Sequence, residues 1–146
     1  MKRFIAMLLG AGSRLSALER AVLDAVRGRI DERLVALWDA QVRAINKIQR
    51  LRRGVEVDFY RMKGGRPTFP KELCFPNKKK ELLLAKVRIE TVGLQGSLNA
   101  NVWCVQGFLF SIDYAGSVGD FEAAAGTDPR PEFHVSCEVT ADLARQ

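Results

Sequence analysis

A chain of 146 residues with 47% hydrophobic and 27% charged side chains can bury a core of its own and is too apolar to be disordered. Three cysteines, at positions 74, 104 and 137, are an odd number and make no disulfide framework, so a reducing, cytoplasmic setting is expected. The net charge is +6 and unevenly spread. Residues 1–42 carry a net +2, residues 43–88 a net +10 from 14 basic and 4 acidic side chains, and residues 89–146 a net −6 from 2 basic and 8 acidic ones.

The chain opens with Lys2, Arg3 and an apolar run from Phe4 to Ala11, which imitates a short signal peptide. That run falls far short of the ~20 residues a membrane span needs, so no membrane partner is expected. Residues 1–15 are read as a flexible N-terminal segment of a single α+β domain covering 1–146. Gly10-Ala11-Gly12 resembles the start of a dinucleotide loop. However, Leu15 stands where the third glycine belongs and no second strand follows, so the match is a coincidence.

From Leu15 the apolar residues Leu18, Val22, Val26, Ile30, Leu34, Trp38 and Val42 recur at helical spacing. Ser16 and Glu19 form the signature of a capping box. One rod over 16–44 would be ~43 Å long, too long for a domain whose radius of gyration is near ~15 Å. Two helices are therefore expected, over 16–27 and 31–44, parting near Gly28. Residues 45–50 fit either a helical period or a hairpin around Gly54, and VEVDFYRM alternates as a strand. Pro67, Pro70 and Pro76 mark an irregular connection.

The segment ELLLAKVRIET reads as a strand with Leu83, Ala85, Val87 and Ile89 on one face and Lys86, Arg88 and Glu90 on the other. NANVWCVQGFLFSIDY reads as a hairpin turning at Gln106-Gly107. A two-residue turn sets Val105 against Phe108, Trp103 against Phe110 and Asn101 against Ile112, and predicts that this aromatic face is buried. Residues 115–131 read as a loop with one helical turn at FEAAA. The last strand puts Phe133, Val135, Cys137 and Val139 on one face, and His134, Ser136 and Glu138 on the other. The fold expected is a helical hairpin packed on a mostly antiparallel sheet of four to six strands.

The chemistry-bearing residues are sparse. His134 and Cys137, three apart on a strand, point to opposite faces, and paired cysteine spacing is missing, so no metal is expected. The same parity separates a cysteine nucleophile from the histidine. Asp58, Asp113, Glu132 and Glu138 are expected to be solvated on polar strand faces. No cofactor is expected, and an enzyme ranks third among the readings. The one site-like feature is basic: Arg50, Arg52 and Arg53 at one turn, Lys63 and Arg66 at another, and Lys78, Lys79 and Lys80 at a third. Such tips can neutralise phosphates, which makes nucleic-acid or polyanion binding the alternative function. The first expectation is a non-enzymatic protein that binds a protein partner or itself.

Overall fold

The computed structural model describes residues 14–146. The apolar run Phe4–Ala11, the glycines at 10 and 12 and nearly all of segment 1–15 therefore lie outside the described residues. Helix α1 (Ala17–Arg27) starts at the expected capping box: the Ser16 hydroxyl accepts from the Glu19 amide at 3.0 Å, and the Glu19 carboxylate accepts from the Ser16 amide at 2.8 Å. The helix ends at Gly28. After a 3-10 turn over Glu32–Leu34 the chain resumes as α2 (Val35–Ala44).

The hairpin reading of the next segment holds, with β1 (Lys47–Leu51), a tight turn over Arg52–Gly54 and β2 (Glu56–Tyr60). A short arm, β3 (Met62–Lys63) and β4 (Arg66–Pro67), pairs with itself. The meander β5 (Leu82–Thr91), β6 (Leu98–Val105) and β7 (Phe108–Ala115) follows, then α3 (Val118–Ala125) and β8 (Phe133–Val139). Where one helical turn was expected, α3 makes two. The six long strands form one antiparallel sheet in the order β1-β2-β7-β6-β5-β8. This is the expected α+β arrangement, with the N-terminal helices packed on the sheet.

One face of that sheet is the core. Val57, Phe59, Val87, Ile89, Ala100, Val102, Cys104, Leu109 and Ile112 are buried in one cluster with Leu18, Val22 and Val26 of α1, Trp38 of α2 and Phe121 of α3. The β6–β7 hairpin turns at Gln106 and Gly107, both with positive φ (51° and 90°), the backbone that a two-residue turn of matching twist requires. Only glycine fits at 107, since a Cβ there would collide with the Cys74 sulfur and approach the Phe75 carbonyl at 3.0 Å.

Beyond that turn the pairing departs from expectation. Val105 does face Phe108, but Cys104 faces Leu109 and Trp103 faces Ser111, so Phe110 is an extra residue in β7. Asn101 accordingly faces Asp113, not Ile112. The buried face of the hairpin is the aliphatic one, and Trp103 and Phe110 are half-buried on the other. A second shift, between Leu83 and Ala85, puts Leu83 opposite Trp103 and off the core face to which it had been assigned.

A buried amide ties the hairpin to the helices. Gln41 on α2 is fully buried; its Nε2 donates to the carbonyls of Leu73 (2.6 Å) and Gly107 (2.9 Å), and its Oε1 accepts from the Leu109 amide (2.8 Å). The Arg61 guanidinium lies against the same junction, donating to the carbonyls of Gln41 (3.2 Å) and Leu109 (3.0 Å) with its plane 5.6 Å from the Phe108 ring centre. It is 5% exposed, and burial pulls its pKa down to about 10.

Replacing Gln41 by Leu should cost about 1–3 kcal/mol, because it strands the buried Leu109 amide and takes one donor from the Leu73 and Gly107 carbonyls, the latter keeping the Phe75 amide. Asn99→Ala on the exposed face should stay within about 0.5 kcal/mol. Urea midpoints of the two variants check this; equal midpoints would mean the junction finds other partners.

Candidate functional site

The face of the sheet opposite the core is covered by no described helix. Alternation places Glu56, Asp58 and Tyr60 of β2 there, with Ser111 and Asp113 of β7, Asn99, Asn101 and Trp103 of β6, Lys86 and Arg88 of β5, and Ser136 and Glu138 of β8. Register lines these up in rows. One runs Glu56, Asp113, Asn101, Lys86, Glu138 across five strands; the next runs Asp58, Ser111, Trp103, Leu83.

The acidic half lies on β2 and β7. Asp113 accepts from the Trp103 indole nitrogen at 2.7 Å and from the Asn101 amide at 3.0 Å, which fixes the indole on the sheet surface. Asp58 is only 6% exposed, and its Oδ1 is buried without a hydrogen-bond partner among the described residues. Burial, reinforced by the neighbouring Glu56 carboxylate, pushes its pKa up to about 6. Asp58 therefore holds its proton to a higher pH than an ordinary carboxyl group. Tyr60 and Phe110 meet edge to face at 5.5 Å beside them, and the Lys47 ammonium sits 5.8 Å from the Tyr60 ring centre. The other half of the face is a shallow groove of about 450 Å³ over β6, β5 and β8, lined by Lys86, Arg88, Asn99, Asn101, Ser136 and Glu138.

The expectation that Asp58 is solvated is therefore overturned, for a reason that lies in how β2 is paired on both sides. Glu56 and Asp58 fall on the same face of a central strand, where packed neighbours on both sides exclude water.

The eight basic residues do not converge. Arg50 points to the helix side and forms a bidentate pair with the fully buried Glu19, both contacts at 2.8 Å. It is a bolt between β1 and α1 rather than an open anion site. Arg52 and Arg53 are exposed in the β1–β2 turn, with φ of 51° and 59°. That turn lies at the Tyr114 end of β7, where the Tyr114 amide bonds the Val55 carbonyl. Lys78, Lys79 and Lys80 lie at the opposite end, where the Gln106 amide bonds the Lys79 carbonyl. Seven residues of strand, ~23 Å at ~3.3 Å each, separate the two groups. Lys63 and Arg66 are exposed on the β3–β4 arm, which leaves β2 at the lysine end.

Two of the three thiols, Cys104 and Cys137, are poor nucleophiles. Burial pushes Cys104 up to about 12 and raises Cys137 as well. His134 is exposed on the face opposite Cys137, in register with Glu90. No cluster of three or more His, Cys, Asp or Glu among the described residues could hold a metal ion, and no described helix is long and apolar enough to cross a membrane.

Asp58 makes stability pH-dependent. Its folded pKa of about 6 lies above the unfolded value of ~3.9, so the folded protein holds the extra proton and loses stability as pH rises between those values. Asp58→Asn should flatten that part of the profile and raise stability at pH 7 by on the order of 1 kcal/mol, as expected when a buried unpaired charge is removed. Melting curves from pH 4 to 8 test this, and parallel profiles would show Asp58 to be solvated. Comparison with protein-family models, curated proteins and solved structures gives no significant match.

Proposed function

We propose that the protein is a non-catalytic binding protein that engages another protein through this sheet face. The observation that carries the reading is the placement of half-buried Trp103, Tyr60 and Phe110 beside Glu56, Asp58 and Asp113, on a face no described element covers. Aromatic side chains held on a rigid sheet are typical anchors of protein interfaces. The carboxylates select a partner that presents a lysine or arginine among apolar groups.

Two other readings have less support. On an open sheet such aromatics could stack nucleic-acid bases, but three carboxylates among them repel phosphates, and the cationic tips lie at opposite ends. A histidine-assisted reaction at the carboxyl groups would need His134 beside them. His134 stands four strands from Asp58, ~19 Å at ~4.8 Å per strand.

A photo-crosslinking side chain at Ser111 should trap a discrete polypeptide in an extract of the native cells, whereas the same group at Arg53 or Lys79 should not. Equal or stronger capture at the basic tips would overturn the assignment. Labelled duplex or single-stranded nucleic acid at micromolar protein and ~0.15 M salt, where screening acts over about 8 Å, should show no shift. Tight binding there would promote the nucleic-acid reading.

A further inference from the structure

Strand β8 is an edge of the six-stranded sheet. It is seven residues long, FHVSCEV, with no proline, lysine, arginine or bulge, and Glu138 is the one charged side chain among the features that usually protect a free edge. The other edge, β1, is shorter and carries Lys47 and Arg50. On β8, Val135 is 38% exposed on the apolar face, one of only three large hydrophobic residues this open among those described.

The direction of its backbone groups follows from the pairing with β5. Ala85 faces Val139, and the Thr140 amide bonds the Leu84 carbonyl at 2.8 Å, so hydrogen-bonded pairs recur at residues 140, 138, 136 and 134 of β8. The N–H and C=O groups of Phe133, Val135, Cys137 and Val139 therefore point away from the sheet, and no described strand takes them.

We propose that the protein forms a two-fold dimer by antiparallel pairing of β8 with β8 of a second copy, centred on Ser136. An isologous pairing must match outward groups with outward groups, which restricts the axis to a residue rather than a gap between residues. Centring on Val135 sets Glu132 against the partner's Glu138 and brings in Pro131, which has no amide hydrogen to donate. Centring on Cys137 runs past the strand end. Centring on Ser136 pairs Phe133 with the partner's Val139 and Val135 with the partner's Cys137 through hydrogen bonds. It also sets His134 against the partner's Glu138 twice, in the closer class of pair. The apolar face then continues across the seam and covers Val135. The groove over β5 and β8 gains the partner's His134 opposite Glu138. This edge is separate from the acidic-aromatic rows, so the dimer stands or falls independently of the sheet-face reading.

The test is cysteine cross-linking with sedimentation. Ser136→Cys places residue 136 opposite itself, with Cα atoms ~4.5 Å apart, within disulfide reach. Mild oxidation of the full chain should give a disulfide-linked dimer much faster than oxidation of the wild type. Glu138→Cys, whose two copies would lie several residues apart along the seam, should cross-link no faster than the wild type. Wild-type protein at ~100 μM should sediment as a dimer, and Val135→Lys, at a site open enough to accept it, as a monomer. A monomeric wild type at that concentration, a dimer that survives Val135→Lys, or faster cross-linking through Glu138→Cys than through Ser136→Cys would each overturn the proposal.

Discussion

Leu109 and Ile112 must both reach the helices, yet they are three apart on one strand, and a regular strand cannot turn both to the same face. The extra residue at Phe110 resolves that conflict, and much of the molecule follows from it. It allows Leu109, Ile112 and Tyr114 to line the core from one strand. It slides Ser111 opposite Trp103 and Asp113 opposite Asn101, so the indole nitrogen finds a carboxylate on the sheet surface. The alignment of both rows across β2, β7 and β6 is therefore a product of one bulge, as bulges commonly re-aim side chains near binding surfaces.

The parts of the fold governed by local chemistry were readable in the sequence. Ser16 and Glu19 announced a helix start, Gly28 a break and Gln106-Gly107 a turn, because each depends on residues within four positions. The alternation of β8 was also plain. Failures arose where period two was interrupted: the shifts at Phe110 and between Leu83 and Ala85 carry no glycine or proline marker. A regular reading across them inverted the face of Trp103 and misplaced Leu83. Asp58 was misjudged for another reason. A carboxylate two residues from a second one looks solvated in a sequence, and only the central position of β2, between Gln49 and Ser111, shows otherwise.

The charge asymmetry has a partly internal explanation. Arg50, in the basic stretch, is held by Glu19 from the first helix, and Glu122 on α3 lies close enough to act on it. Glu122 accepts from the Ser16 hydroxyl at 2.9 Å, while its burial raises its pKa. Tyr114 sits among these groups with its hydroxyl buried and without a partner among the described residues, its ionisation suppressed by desolvation and the two glutamates. One part-exposed cation thus links β1 to the buried Glu19 of α1, with Glu122 of α3 close by. Arg61 is buried at the Gln41 junction, Lys86 and Arg88 lie on the sheet face, and the exposed turns lie at separate ends of the sheet, so the +10 stretch is not one patch.

The strand order also has a kinetic meaning. β5, β6 and β7 are consecutive in sequence and adjacent in space, joined by short turns, whereas β2 meets β7 only after a separation of more than fifty residues. Closing that long loop is entropically costly until an edge exists to receive it. The meander over 82–115 is thus the part whose closure costs least, and the β1–β2 hairpin bridges the longer separation. The Gln41 amide spans that separation, bonding the Gly107 and Leu109 backbone 66 and 68 positions away. Its hydrogen bonds therefore sit where the chain has a large closure entropy to offset.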